Sequence, residues 1–142
     1  MKSKATTVWE GDLMSGKGRT SAASGTFRDV NLGWKARTEG AAGYTTPEEL
    51  LAAAHASCFS MALSHTLAQG GNKPTRLETT CTVEFGPKAG GGFEVKSSSL
   101  EVNGTVPGID QAAFAKAAEG AKSGCPISGV LKIPMSVKAT LA

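Results

Sequence analysis

The sequence predicts an α+β fold in which antiparallel sheets pack around one long central helix. Two observations carry this reading. Residues 45–70 form the one long stretch dense in strong helix formers, and the stretches on either side, above all Thr75 to Phe85, alternate apolar and polar residues with the period of a strand. The resulting order is β-rich, long helix, β-rich, helix, short helix, strand. That is not the βαβ alternation of a doubly wound nucleotide-binding fold. A chain of 142 residues fits one domain, 1–142, and a compact monomer of this size buries about two-thirds of its unfolded surface.

The first third reads as a small antiparallel sheet. Ala5 to Trp9 is a strand, Glu10-Gly11-Asp12 followed by Gly16-Lys17-Gly18 a hairpin connection, and Arg19 to Ala22 the return. Thr26-Phe27 and Leu32 to Thr38 suggest further extended structure, with Arg37 near its end. Glu39 to Gly43 then turns the chain toward the helix. Thr46 suits its N-cap, Pro47 its first position, and Glu48 and Glu49 the positive end of its dipole; Gly70-Gly71 ends it. Apolar and small residues fall on nearly every face, which predicts a helix buried all round.

Beyond the helix, Leu77, Thr79, Cys81, Val83 and Phe85 share one strand face, so Cys81 points inward as an inert core thiol. Pro87 to Gly92 is a hairpin tip, and Phe93 to Val102 the partner strand, bounded by Asn103-Gly104. Asp110 caps an amphipathic helix over Gln111–Lys122, with Ala112, Phe114, Ala115 and Ala118 available for packing. Gly124 ends that helix. Cys125 to Leu131 is a short helix, and Lys132 to Leu141 a closing strand whose Pro134 points to an edge position.

Composition narrows the function classes. Hydrophobic residues make up 40% and charged residues 19%, which suits an ordinary globular protein. Glu, His and Gln interrupt the longest apolar run before it reaches the roughly 18 residues of a membrane span, and no hydrophobic segment follows the N-terminal lysines as in a secretory signal. The expectation is a cytoplasmic protein with no membrane partner. The net charge of +3 is scattered along the chain, so no nucleic-acid footprint is expected. His55 and His65 lie ten residues apart and no Cys-x-x-Cys occurs; neither a metal site nor a cofactor is expected.

The three cysteines therefore carry the chemistry. Cys58 sits in mid-helix and Cys125 at a helix start, where the dipole and free amides favour a thiolate. Two thiols far apart in sequence fit a pair that cycles between thiols and a disulfide. Burial raises the pKa of Cys58, so a cation must offset it. Arg19, Arg28, Arg37 and Arg76 are candidates, with His55 a weaker one. Arg37 is preferred because its segment feeds directly into the helix.

Thr46-Pro47-Glu48-Glu49-Leu50 through Cys58-Phe59-Ser60-Met61-Ala62-Leu63, with Val8-Trp9-Glu10-Gly11-Asp12, Val106-Pro107-Gly108-Ile109-Asp110 and Gly124-Cys125-Pro126-Ile127-Ser128, resemble the OsmC (osmotically inducible protein C) branch of the OsmC/Ohr hydroperoxide reductase family across essentially the whole chain. The resemblance implies an intertwined homodimer with sites at the interface, and a thiol-dependent peroxidase that prefers organic hydroperoxides to hydrogen peroxide in oxidative and osmotic stress defence. It implies Cys58 as peroxidatic thiol, Cys125 as the resolving thiol that forms a disulfide with it, and Arg37 with Glu48 as the pair that activates Cys58. Arg19 is a rival, because the Ohr branch places its arginine close to the N-terminus. The Ohr branch also suggests a dithiol reductant such as a lipoylated protein. Apolar neighbours at Leu50, Leu51, Phe59 and Met61 suit a substrate with a hydrocarbon tail. The competing expectation is a noncatalytic stress protein that binds small molecules with the same fold, a role that would not need the cysteine pair.

Helix geometry adds one expectation. On one continuous helix, Glu48 and Cys58 stand about 15 Å apart along the axis and about 80° apart in azimuth. Either the helix breaks near Glu48, or Glu48, together with Arg37, serves the Cys58 of a second subunit.

Overall fold

A computed structural model describes residues 1–142. The architecture is α+β, with two sheets and a long helix. The chain divides into two compact units, residues 1–50 and 51–142.

The first unit is a four-stranded sheet of β1 (Ala5–Glu10), β2 (Lys17–Ala22), β3 (Val30–Leu32) and β4 (Tyr44–Thr45), in that spatial order. The first two pairings are antiparallel and the third is parallel. The difference from an all-antiparallel expectation has a clear origin: Trp34–Glu39, expected to be extended, is a helix, α1, that carries the chain back so β4 can run alongside β3. Arg37 therefore stands in the last turn of a short helix. Along β1 every residue is exposed.

Helix α2 (Pro47–Gln69) runs unbroken with the expected boundaries. The Thr46 hydroxyl accepts the Glu49 amide at 3.0 Å, as an N-cap should. Burial all round is not observed. His55, Phe59, Leu63 and Leu67 form the buried stripe, whereas Ala53, Ser57, Met61, His65 and Ala68 are exposed. Glu48 and Glu49 are its only Asp, Glu, Lys or Arg residues, so by length and composition it is apolar enough to cross a membrane; the buried stripe, however, is part of a protein core.

That core belongs to the second unit. Helix α2 contributes Phe59, Leu63 and Leu67, each adding about 1.5–3 kcal/mol by burial. They meet Leu100, Val102 and Val106 from the sheet side and Phe114, Ala118 and Ala121 from α3 (Gln111–Gly124). Asp110 caps α3 through its carboxylate and the Ala113 amide, 2.8 Å apart; Ala112, expected to pack, is exposed. The sheet has the order β5 (Arg76–Pro87), β6 (Phe93–Thr105), β7 (Met135–Leu141), antiparallel then parallel. The crossover through α3 and α4 (Pro126–Val130) makes the last pairing parallel.

Strand β6 runs past Asn103-Gly104, where a turn was expected. A Cβ on Gly104 would collide with the Phe114 ring. Glycine is thus needed here for the close approach of α3, not for a turn.

Candidate active site

Cys58 and Cys125, 67 positions apart in the sequence by subtraction of their numbers, come together in the second unit. Helix α2 presents Cys58, half-buried against the core, and Cys125 is both the C-cap of α3 and the N-cap of α4, 1% exposed. The thiols are free, and close enough to act on each other's ionisation.

Their environments push them apart. Burial raises the Cys58 pKa, and the Cys125 sulfur raises it further, against a smaller opposing effect of the Ile127 amide. Burial also works against ionisation of Cys125. The amides of Ser128 and Ile127, the Cys58 thiol and the Ser128 hydroxyl outweigh it, and the Cys125 pKa is lowered. The local field at the start of α4 thus favours ionisation of Cys125, as expected, and Cys58 is the thiol that needs outside help.

Access separates the pair in the opposite sense. Cys58, Met61, Ala62, His65, Ala121 and Gly124 line an open, mainly apolar cleft of about 480 Å³, while Cys125 is buried. Of the apolar residues named from the sequence, Met61 lines this cleft and Phe59 turns into the core.

Arg37 and Glu48 are brought together in the first unit. Arg37 Nε donates to both carboxylate oxygens, at 3.0 and 3.1 Å, and Nη2 donates to Oε1 at 2.6 Å. The last turn of α1 and the first turn of α2 supply the two groups, and the Glu48 side chain is 8% exposed against 30% for Arg37. A planar guanidinium held by a fork of this kind is fixed in direction as well as in position. Arg37 also borders an apolar pocket of about 140 Å³ with Trp9, Leu13, Leu32, Trp34 and Pro47. Arg19, the rival, is exposed on β2 beside Glu10 and Asp29.

His55 corrects the sequence reading. It is fully buried, and desolvation lowers its pKa, so it is a neutral imidazole and does not serve as the cation beside Cys58. Nδ1 lies 2.7 Å from Ser98 Oγ and Nε2 2.8 Å from Ser128 Oγ. Cys81 points inward as expected, yet its sulfur lies 3.2 Å from Ser98 Oγ and 3.8 Å from His55 Nδ1. The sequence reading missed Ser98 and Ser128, because they meet His55 across 43 and 73 residues of chain. The available signal was a lone histidine in an alanine-rich helix, whose ring nitrogens must find partners if buried.

A family model described as OsmC-like protein matches residues 38–140. The chain is 44% identical over 129 residues to the peroxiredoxin OsmC of Escherichia coli (strain K12), covering 91% of this chain and 89% of that protein. It is 33% identical over 116 residues to an organic hydroperoxide resistance protein of Xanthomonas axonopodis pv. citri (strain 306), covering 80% and 79%. In structure it is similar to the organic hydroperoxide resistance protein OhrB of Bacillus subtilis, with a TM-score of 0.72, 25% identity and 98% of each chain covered. With its family motif spanning most of the chain and relatives matched over nearly their full length, the chain belongs to the OsmC-like protein family.

Proposed function

We propose that this chain, acting as one OsmC-like domain over 1–142, is a thiol-dependent peroxidase that reduces organic hydroperoxides, and hydrogen peroxide more weakly, to the corresponding alcohol or water. The observation that carries the reading is the division of labour between the thiols: Cys58 opens onto an apolar cleft, and Cys125 waits buried beside it with a lowered pKa. Relatives named peroxiredoxin and organic hydroperoxide resistance protein support the same reading.

In the proposed sequence the Cys58 thiolate attacks the distal peroxide oxygen, the O–O bond breaks, and the alkoxide leaves and is protonated. Cys58 becomes a sulfenic acid. Cys125 attacks that sulfur, water leaves, and a Cys58–Cys125 disulfide remains for an external dithiol, of the kind carried by a lipoylated protein, to reduce. Because the Cys58 pKa is raised, the thiolate needs a cation. Arg37, aligned by Glu48, is assigned to lower the thiol pKa and to stabilise the charge developing on the leaving oxygen. Arg37 and Glu48 are assigned to the Cys58 of a second subunit, a reading supported by the continuity of α2 from Pro47 to Gln69. The exposed stripe Ala53, Ser57, Met61, His65 and Ala68 is the face such a homodimer would cover. The proposed setting is cytoplasmic stress defence, without a cofactor.

The test is hydroperoxide consumption with a dithiol reductant, for the wild type and Cys58→Ser. Turnover by the wild type and none by Cys58→Ser is expected. Unchanged turnover in Cys58→Ser would overturn the assignment, and an inert wild type that still binds hydroperoxide in the cleft would favour a noncatalytic binding protein.

A further inference from the structure

Next to the cysteine pair lies a polar chain, buried except at its half-buried Cys81 end, that the peroxidase chemistry above does not use. It runs from the Cys81 sulfur to Ser98 Oγ at 3.2 Å, from Ser98 Oγ to His55 Nδ1 at 2.7 Å, and from His55 Nε2 to Ser128 Oγ at 2.8 Å. Ser128 stands in the first turn of α4, whose N-cap is Cys125, and its hydroxyl favours ionisation of the Cys125 sulfur. His55 and Ser98 are wholly buried and Ser128 is 4% exposed, and no buried side-chain nitrogen or oxygen is left without a partner. Four elements supply the members, β5, β6, α2 and α4. We propose that Ser128 and His55 are positioning residues for Cys125, and that this chain of hydrogen bonds ends on the Cys125 sulfur and holds it as an acceptor aimed at Cys58.

Counting protons fixes the direction of the chain. In the form that attacks, Cys125 is a thiolate and can only accept, so Ser128 donates to it. With its one proton committed, Ser128 Oγ accepts from His55 Nε2–H. The imidazole is neutral, hence Nδ1 is an acceptor and Ser98 donates to it; Ser98 in turn accepts from the Cys81 thiol, whose pKa burial raises. Every donor then points the same way, and aligned hydrogen bonds polarise one another in a dry interior. The titratable groups facing Cys125 are Cys58 directly and His55 through Ser128, both on α2, with Cys81 of β5 at the far end; on α3, Lys122 is turned to Glu119, 2.7 Å away.

The inference rests on the reading of Cys125 as the resolving thiol. In that step the Cys125–Cys58 S–S bond forms as the Cys58 S–O bond breaks. The hydroxyl leaves as water, taking the proton that the Cys125 thiol gave up. Cys125 is oxidised and the Cys58 sulfenic sulfur reduced, so that thiol and sulfenic acid become disulfide and water. A sulfur already ionised and oriented is the better nucleophile.

Two measurements test the inference. The first uses the unmodified reduced protein labelled with nitrogen-15 at histidine, in which the His55 ring is expected as neutral Nε2–H; a neutral Nδ1–H ring or an imidazolium would overturn the chain as drawn. The second follows a single turnover with one equivalent of tert-butyl hydroperoxide in wild type, Ser128→Ala and Ser128→Thr, timing hydroperoxide loss and disulfide formation separately. Removing the Ser128 donor is expected to raise the Cys125 pKa and to leave about tenfold less thiolate at neutral pH. Disulfide formation in Ser128→Ala is therefore expected to slow about tenfold more than hydroperoxide loss, the gap closing as pH rises, with Ser128→Thr recovering most of it. Equal slowing of both steps would mean a merely structural role and would overturn the proposal. Should the wild type consume no hydroperoxide, the peroxidase reading fails instead. The histidine spectrum, and the thiolate absorbance of Cys125 in Cys58→Ser with and without Ser128→Ala, still decide the hydrogen-bond chain.

Discussion

Removing either member of the Arg37–Glu48 pair should destabilise the protein, but by unequal amounts. In Arg37→Ala the Glu48 carboxylate, with only 8% of its side chain exposed, is left without its cation. Orphaning a buried charge costs about 3–5 kcal/mol, and the N-terminus of α2 offsets about 0.3–1 kcal/mol of this. In Glu48→Ala the guanidinium that loses its carboxylate has 30% of its side chain exposed, and water can still reach it. Hydration reduces that loss to about 1–2 kcal/mol, including the carboxylate's lost interaction with the helix dipole. Arg37→Ala should therefore cost about 1–2 kcal/mol more than Glu48→Ala, and the double variant should lie well short of the sum, because the two groups share one interaction. Urea unfolding of the three variants and the wild type measures this. If Glu48→Ala proved the more damaging, or if the two costs simply added, the ion pair would not be the buried interaction that these distances describe. Arg37→Lys extends the test: it keeps the charge and loses the fork, so it should recover part of the stability of Arg37→Ala while leaving hydroperoxide turnover slow.

Two further expectations concern the thiols and the subunits. Hydroperoxide treatment should give a Cys58–Cys125 disulfide with Cys81 still reduced, and Cys125→Ser should complete one reduction and stop with Cys58 as a sulfenic or over-oxidised acid; peptide mapping that found Cys81 in the main disulfide, or full multiple turnover by Cys125→Ser, would refute this. Mixing Cys58→Ser with Glu48→Ala protomers should restore activity above both parents if Glu48 acts on the other subunit's Cys58, since one of the two sites is then intact, whereas a verified heterodimer without recovery would place both residues in one chain's site.

Legibility of the fold followed the range of the forces involved. Helix α2 could be bounded from Thr46, Pro47 and Gly70, and α3 from Asp110, because caps act within a turn of their own residue. Strand β5 was visible through its alternation. Helix α1 was not: its six residues are too few for propensity to overcome nucleation, and it has no side-chain cap at Gly33. Gly104 was read as a turn because the ring of Phe114, which makes a side chain there impossible, arrives from another element.

The same division runs through the site. Sequence alone picked out the residues proposed to carry the chemistry: a thiol in mid-helix, a second thiol at a helix start, an arginine just upstream and an acid in the first helical turn, all properties of local position. Tertiary structure decided what surrounds them. It set Cys125 behind Cys58 and opened a cleft on Cys58 alone, closed the fork of Arg37 on Glu48, and carried Ser98 and Ser128 to the two nitrogens of His55. Burial and hydrogen-bond partnership are properties of neighbours in space, and a pKa follows them. A histidine that the sequence offers as a weaker candidate cation thus becomes, once enclosed, a neutral link between two hydroxyls.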